Sequence, residues 1–170
     1  MSERWNARYA SGEVVEKPPE KLVVEAVRGR KLGKALDLAC GTGRHALYLA
    51  AQGWDVTAVD SSGVALDILS ERAAEGLNVH PVLADLEGGK FRIEADSWDL
   101  IVDCFYLQRD LFPSIRAGLK SGGLFVGVFP MSGINPAYLM RAGEGRELFG
   151  DWKPLHYAEA ERTEIIAQKP

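Results

Sequence analysis

The sequence predicts a doubly wound α/β fold: a seven-stranded sheet, mostly parallel, with an antiparallel hairpin at its C-terminal end. Three observations carry this. Short apolar or β-branched runs alternate with helical-period segments up to residue 129, an order that calls for right-handed crossovers and a parallel sheet covered on both faces. The first of these runs stops abruptly at Gly41-Thr-Gly43, as a buried strand does when it turns into a helix. Beyond residue 151, two strand-like runs follow one another with no helix between them, as an antiparallel pair would.

The elements follow in order. Trp5 and Tyr9, spaced i,i+4, make one aromatic face of a short helix, with Arg4 and Arg8 on another. After a polar stretch with Gly and Pro, residues 20–29 set Val23, Ala26 and Val27 on one helical face behind Pro18 and Pro19. Residues 35–40 form the first strand, 44–52 a helix ended by Gly53, and 55–60 a β-branched strand. A helix capped by Ser61 or Ser62 then places Ala65, Ile68, Leu69 and Ala73 at helical spacing. Residues 78–86 and 98–105 read as strands, 110–120 as a helix packing Phe112, Ile115 and Leu119, and 123–129 as the fifth strand. The hairpin pairs residues 152–158 with 163–167.

The 170 residues, 46% hydrophobic and 26% charged, suit one core. We divide the expected single domain 1–170 into an N-terminal lid segment, 1–16, and a core, 17–170. The net charge of -4 offers no field for a phosphate backbone, so a nucleic-acid partner is disfavoured and a small molecule fits better. Residues 121–140 lack charge but are broken by Gly and Pro, which is wrong for a membrane span. Cys40 and Cys104, with His45, His80 and His156, give no metal-ligand spacing. The start has no apolar secretory region, so the cytoplasm is the expected location. A monomer or homodimer is expected.

A glycine turn opening a helix lets a ligand approach the backbone and meet free N–H groups. Asp60 ends the next strand, where a carboxylate can accept from both hydroxyls of a ribose, and Asp85 ends the third. Each feature alone has a plainer reading, a tight turn or a helix cap. Gly41-x-Gly43-x-x-Ala46 also satisfies a loose dinucleotide pattern, yet Asp37 stands where a dinucleotide strand is apolar, so an NAD-dependent oxidoreductase ranks low.

Together these residues resemble the class I S-adenosylmethionine-dependent methyltransferases. Asp37-Leu-Ala-Cys-Gly41-Thr-Gly43 matches that family's first motif, Asp60 its ribose-binding acid, and Ala84-Asp85-Leu86 its adenine-contacting segment. The chain is most similar to short bacterial enzymes of the tellurite-resistance or thiopurine type, through Trp5-Asn-Ala-Arg-Tyr9, Tyr106-Leu-Gln-Arg109 and Asn135-Pro-Ala-Tyr-Leu. One departure is Gln108, where relatives often carry His.

The resemblance implies S-adenosyl-L-methionine as cofactor, bound by Asp37, Ala39, Gly41, Gly43, Asp60, Ser61, Asp85 and Leu86, with Arg8 and Tyr9 from the lid. It implies a small-molecule methyl acceptor, and Asp103, Tyr106 and Arg109 are its candidate catalytic residues. Cys40 reads as core, Cys104 as core or pocket lining, and His156 as surface. In-line transfer from a sulfonium asks the protein chiefly for alignment, so an acceptor that is already anionic or soft needs no general base. A cofactor-binding accessory module without turnover is the alternative.

Overall fold

The computed structural model describes residues 2–12 and 17–170, and the parts of the expected lid segment at Met1 and 13–16 lie outside them. Among the described residues, β1 (Lys34–Leu38), β2 (Asp55–Asp60), β3 (Val79–Leu83), β4 (Trp98–Cys104), β5 (Leu119–Pro130), β6 (Lys153–Glu159) and β7 (Arg162–Gln168) form one sheet. Its order is β3-β2-β1-β4-β5-β7-β6. The first five strands pair in parallel, and β7 runs antiparallel to both β5 and β6. The expected doubly wound sheet with its reversed hairpin is therefore present. Chain order reverses between β1 and β4, and such a switch point leaves a crevice beyond the carboxyl ends of the strands.

Helix α1 (Ser2–Ala10) precedes the sheet, α2 (Lys21–Val27), α3 (Arg44–Ala51) and α4 (Gly63–Arg72) cover one face, and α5 (Phe112–Gly118) and α6 (Glu144–Phe149) the other. Neighbouring strand residues alternate between faces. Thus Ala35, Leu100 and Val102 pack with Val23, Ala46, Leu49 and Leu69, while Leu36, Leu38 and Ile101 meet Phe112, Ile115 and Phe149. The second layer is aromatic: Phe125 and Phe149 stack at 4.5 Å, and Phe112 stands edge-on to Phe129 at 5.9 Å.

Three boundaries differ from the sequence reading. The third strand stops at Leu83 rather than 86, so Asp85 lies in the loop beyond it; Pro81 removes a donor there, and β3 is tolerated as an edge strand. The helix expected over 110–120 is a 3-10 turn, Arg109–Leu111, running into α5 with Pro113 in its first turn. Leu119, expected on that helix, opens β5 instead. No described helix is long and apolar enough to cross a membrane.

Candidate functional site

After β1 the chain turns through residues 39–43, with Ala39, Gly41 and Gly43 all at positive φ (51°, 55° and 82°). The Gly41 N–H donates to Asp60 Oδ2 and the Ser62 N–H to Asp60 Oδ1, both at 2.8 Å. One strand-end carboxylate thus ties the glycine loop to the start of α4. A Cβ on Gly41 would lie 2.7 Å from the Tyr9 hydroxyl, so α1 rests directly on this loop. Ser62 Oγ caps α4 by accepting from the Ala65 N–H at 3.2 Å and donates to Asn6 Oδ1 at 2.6 Å. Trp5 and Tyr9 stack at 5.9 Å, with the Arg8 guanidinium over Trp5.

These elements enclose a cavity of about 500 Å³. Of the residues singled out from sequence, Arg8, Tyr9, Ala39, Gly41, Asp60, Ser61, Asp85, Leu86 and Tyr106 line it. Asp37, Gly43, Asp103 and Arg109 do not. Gly43 serves packing: in its left-handed conformation a side chain would strike Leu69. Asp37 and Asp103 are buried in the sheet, at 1% and 0% exposure.

The sequence reading missed Lys17, Glu20, Thr42, Arg44, His45, Arg72, Glu87 and Phe105, which also form the wall, as do both cysteines. Position inside the glycine motif could have flagged Thr42, Arg44 and His45. Phe105 carried a signal too, as a large apolar residue at the expected end of a strand. It is half exposed and holds φ 65°, a conformation that costs a bulky residue about 1–3 kcal/mol. Its N–H donates to the Val128 carbonyl at 2.7 Å, and the Arg44 guanidinium sits 5.4 Å above its ring. Arg44 also meets Glu20, whose other oxygen accepts from Arg162 at 2.9 Å. His156, read from sequence as a surface residue, is half-buried and pairs with Glu164.

Burial shifts several ionisable groups here toward their uncharged forms. It pushes Asp37 up to about 7, with Oδ2 lacking a partner among the described residues. Asp103, with neither oxygen partnered among the described residues, is also pushed well up, by burial first and then by the charge of Asp37. Burial, then Asp60, lifts the Tyr9 hydroxyl to about 12. The Tyr106 hydroxyl is raised by burial, then by Glu87 and Asp103, and the Cys104 thiol by burial first. Burial lowers His45 to about 3, assisted by Arg44.

Arg109, a candidate catalytic residue, lies off this wall. Its guanidinium forks onto Glu144 at 2.6 and 3.0 Å and donates to the Ala137 and Leu139 carbonyls, each at 2.9 Å. Glu144 also accepts from the Arg141 N–H at 2.9 Å, and its carboxyl is held down at about 2, chiefly by Arg109.

Comparison with known proteins places this architecture. Residues 13–165 match the family model described as tellurite resistance protein TehB. A relative from Haemophilus influenzae (strain ATCC 51907 / DSM 11121 / KW20 / Rd), named probable S-adenosyl-L-methionine-dependent methyltransferase TehB, is 31% identical across 94% of this chain and 56% of its own length. The chain thus spans little more than half of that relative. The crystal structure of TehB from Haemophilus influenzae superposes with a TM-score of 0.82 at 24% identity, over 96% of this chain and 66% of that one. A Burkholderia thailandensis 1,6-didemethyltoxoflavin-N1-methyltransferase, solved with 1,6-didemethyltoxoflavin and S-adenosylhomocysteine bound, gives 0.72 at 21% identity over 99% and 86%. With the family model spanning nearly the whole described fold, the chain belongs to the TehB tellurite resistance protein family.

Proposed function

We propose that the chain is an S-adenosylmethionine-dependent methyltransferase acting in line on a small-molecule acceptor. The observation that carries this reading is a shared cavity. The glycine loop, Asp60 and Asp85-Leu86, from the ends of three successive strands, line the same space as Cys104, Phe105 and Tyr106 at the end of β4. Its volume falls in the range of about 300–1,000 Å³ typical of small-molecule sites. The Haemophilus relative bears a methyltransferase name, and the Burkholderia neighbour holds the spent cofactor beside a small-molecule substrate.

The residues present fit the cofactor. Gly41 presents no side chain to the cavity, and Arg8 and Tyr9 line it from α1, suited to the amino-acid end. Asp60 spends two acceptor sites on backbone amides, and a carboxylate has about four, so it retains capacity for ribose hydroxyls. Asp85 and Leu86 suit the adenine. When bound, S-adenosylmethionine supplies an electrophilic methyl group. In this reading residues 1–16 are a lid on the core 17–170, and closing such a cover excludes water.

At the acceptor end the Cys104 thiol and Tyr106 hydroxyl stay protonated near neutral pH, so neither is a ready base. Asp103 is buried in the sheet and off the wall, so it does not face the acceptor. The protein then contributes chiefly alignment, worth about 7–11 kcal/mol, and the acceptor brings its own nucleophile: a thiolate, a selenide or a tellurium oxyanion. The family's description as a tellurite resistance protein agrees with that class.

Calorimetry with S-adenosylmethionine and NAD, then methyl-labelled transfer to tellurite, selenite, thiophenol, a carboxylate and an amine, tests this. We expect binding of the first ligand only, and transfer to the soft or anionic acceptors. Failure to bind S-adenosylmethionine sinks the reading; binding without transfer to any acceptor favours the accessory module.

A further inference from the structure

Glu20 stands at the start of α2, where a side-chain oxygen can cap the helix, yet it makes no such bond. Both its oxygens turn to arginines instead: Oε1 lies 3.4 Å from Arg44 Nη1, and Oε2 accepts from Arg162 Nη1 at 2.9 Å. Arg162 is itself fixed in β7, where its Nε donates to Glu164 at 2.8 Å. Glu20 therefore ties Arg44 to the sheet. Arg44 Nη1 also reaches the Pro18 carbonyl at 3.4 Å, and the guanidinium carbon stands 5.4 Å from the centre of the Phe105 ring. A planar guanidinium can lie on a ring and bond outward along its edge at once, which a lysine ammonium cannot. Glu20, Arg44 and Phe105 all line the cavity, Phe105 between Cys104 and Tyr106. Phe105 is a bulky residue in a left-handed conformation that glycine adopts without strain, and it is 47% exposed. A strained ring kept on a cavity wall under ordered charges points to a use inside the cavity.

We infer that Phe105 is a specificity-determining contact for the acceptor, and that Arg44 and Glu20 are the positioning residues that hold its ring in place. The inference rests on the methyltransferase reading. Arg44 acts by covering the ring, and Glu20 acts only through Arg44. An acceptor with an apolar body covers hydrocarbon at Phe105 and gains from it; a compact oxyanion does not.

The test uses the full chain, labelled with fluorophenylalanine, as wild type and with Phe105→Leu, Arg44→Lys, Glu20→Ala and the Glu20→Ala/Phe105→Leu pair. Fluorine spectra, calorimetry with S-adenosylmethionine, and methyl transfer to thiophenol and selenite are measured on each. The resonance missing from Phe105→Leu identifies the ring at 105, and it should move or broaden in Arg44→Lys and Glu20→Ala. Thiophenol kcat/KM should fall about three- to tenfold in each single variant, with cofactor affinity held within about threefold. Selenite transfer should lose less. The double variant should be no worse than Phe105→Leu, because both changes act on one contact. Equal losses for the two acceptors, multiplying losses in the double variant, or a Phe105 resonance unmoved by Arg44→Lys would each overturn the inference. So would a wild type that methylates selenite but not thiophenol. If the wild-type chain methylates neither probe, the acceptor role fails with the reading beneath it, and a Phe105 resonance that still moves in Glu20→Ala shows the failure to lie in that reading and not in the clamp.

Discussion

On the β1–β2 side of the cavity, the wall is held by backbone amides closing on one carboxylate: Gly41 and Ser62 on Asp60, over separations of 19 and 2 residues. Beyond the β4–β5 side, off the wall itself, the loops after the strands are tied by side-chain charges recruited from farther along the chain, Arg109 onto Glu144 across 35 residues. The first arrangement leaves little freedom, because backbone donors cannot be exchanged by substitution. The second can be redrawn by changing two side chains. A common cofactor and a variable acceptor would ask for that division.

Asp60→Ala should break the first side, with the largest effect expected here. It removes two charge-assisted bonds, worth about 1.5–3 kcal/mol each when a buried charged acceptor is lost. Stability should drop by about 2–4 kcal/mol, since part of that is recovered by relaxation. Cofactor affinity should fall about ten- to a hundredfold. Urea denaturation and calorimetry measure the two. A variant that keeps full cofactor affinity would remove Asp60 from the cofactor side and end the comparison as drawn.

The same division explains what could be read from sequence. Gly41, Asp60 and Asp85 were legible because a strand followed by a glycine turn or an acid is a local pattern, and strand ends of a doubly wound sheet converge. Arg109 was visible as a residue but not as a clamp: its partners lie at 137–144, and no local pattern joins them. The sheet itself was legible down to the reversed hairpin through hydrophobic period alone. The misjudged boundaries were those where Pro81 and the Gly122-Gly123 pair interrupt that period. Asp37 and Gly43 were singled out because they sit in the motif; Asp37 is buried in β1, and a side chain at Gly43 would strike Leu69.

Asp37 lies in β1, on the β1–β2 side of the cavity, and its proton links the stability of that side to pH. Its folded pKa is raised to about 7, above an unfolded value of about 3.9. The neutral form is therefore favoured on folding, and the stability this brings is full below about pH 4 and lost as pH rises through 7. Asp37→Asn has no proton to lose. Relative to wild type, it should therefore gain about 1.4 kcal/mol per pH unit between roughly pH 4 and 7. His45, lowered to about 3, acts oppositely below about pH 6.5, but it is common to both proteins and drops out of the difference. Urea titrations at pH 4.5, 6 and 8 would show it. A difference independent of pH would mean that Asp37 is ionised in the folded protein, with a partner outside the described contacts.

The smallest effect expected is also the finest probe of how much freedom the cofactor side retains. Ala39 and Phe105 are non-glycine residues on the cavity wall with positive φ, one on each side of the division. At Ala39 the left-handed conformation costs about 1–2 kcal/mol. Glycine would relieve it, at the expense of about 0.4–1 kcal/mol through a looser unfolded chain. It would also remove a methyl group that packs against the aromatic layer, worth about 0.8 kcal/mol at most. The three nearly cancel, so Ala39→Gly should shift stability by no more than about 1 kcal/mol, or about 2–4 °C in Tm. Cofactor affinity should stay within a few-fold, because the Asp60 bond fixes the loop whichever residue stands at 39. Phe105→Gly relieves a similar strain but deletes a ring under Arg44 on the acceptor side, so its loss should fall on acceptor turnover. If Ala39→Gly weakened the cofactor as much as Asp60→Ala does, the loop would owe its shape to residue 39 and not to the carboxylate, and the two sides would be built alike.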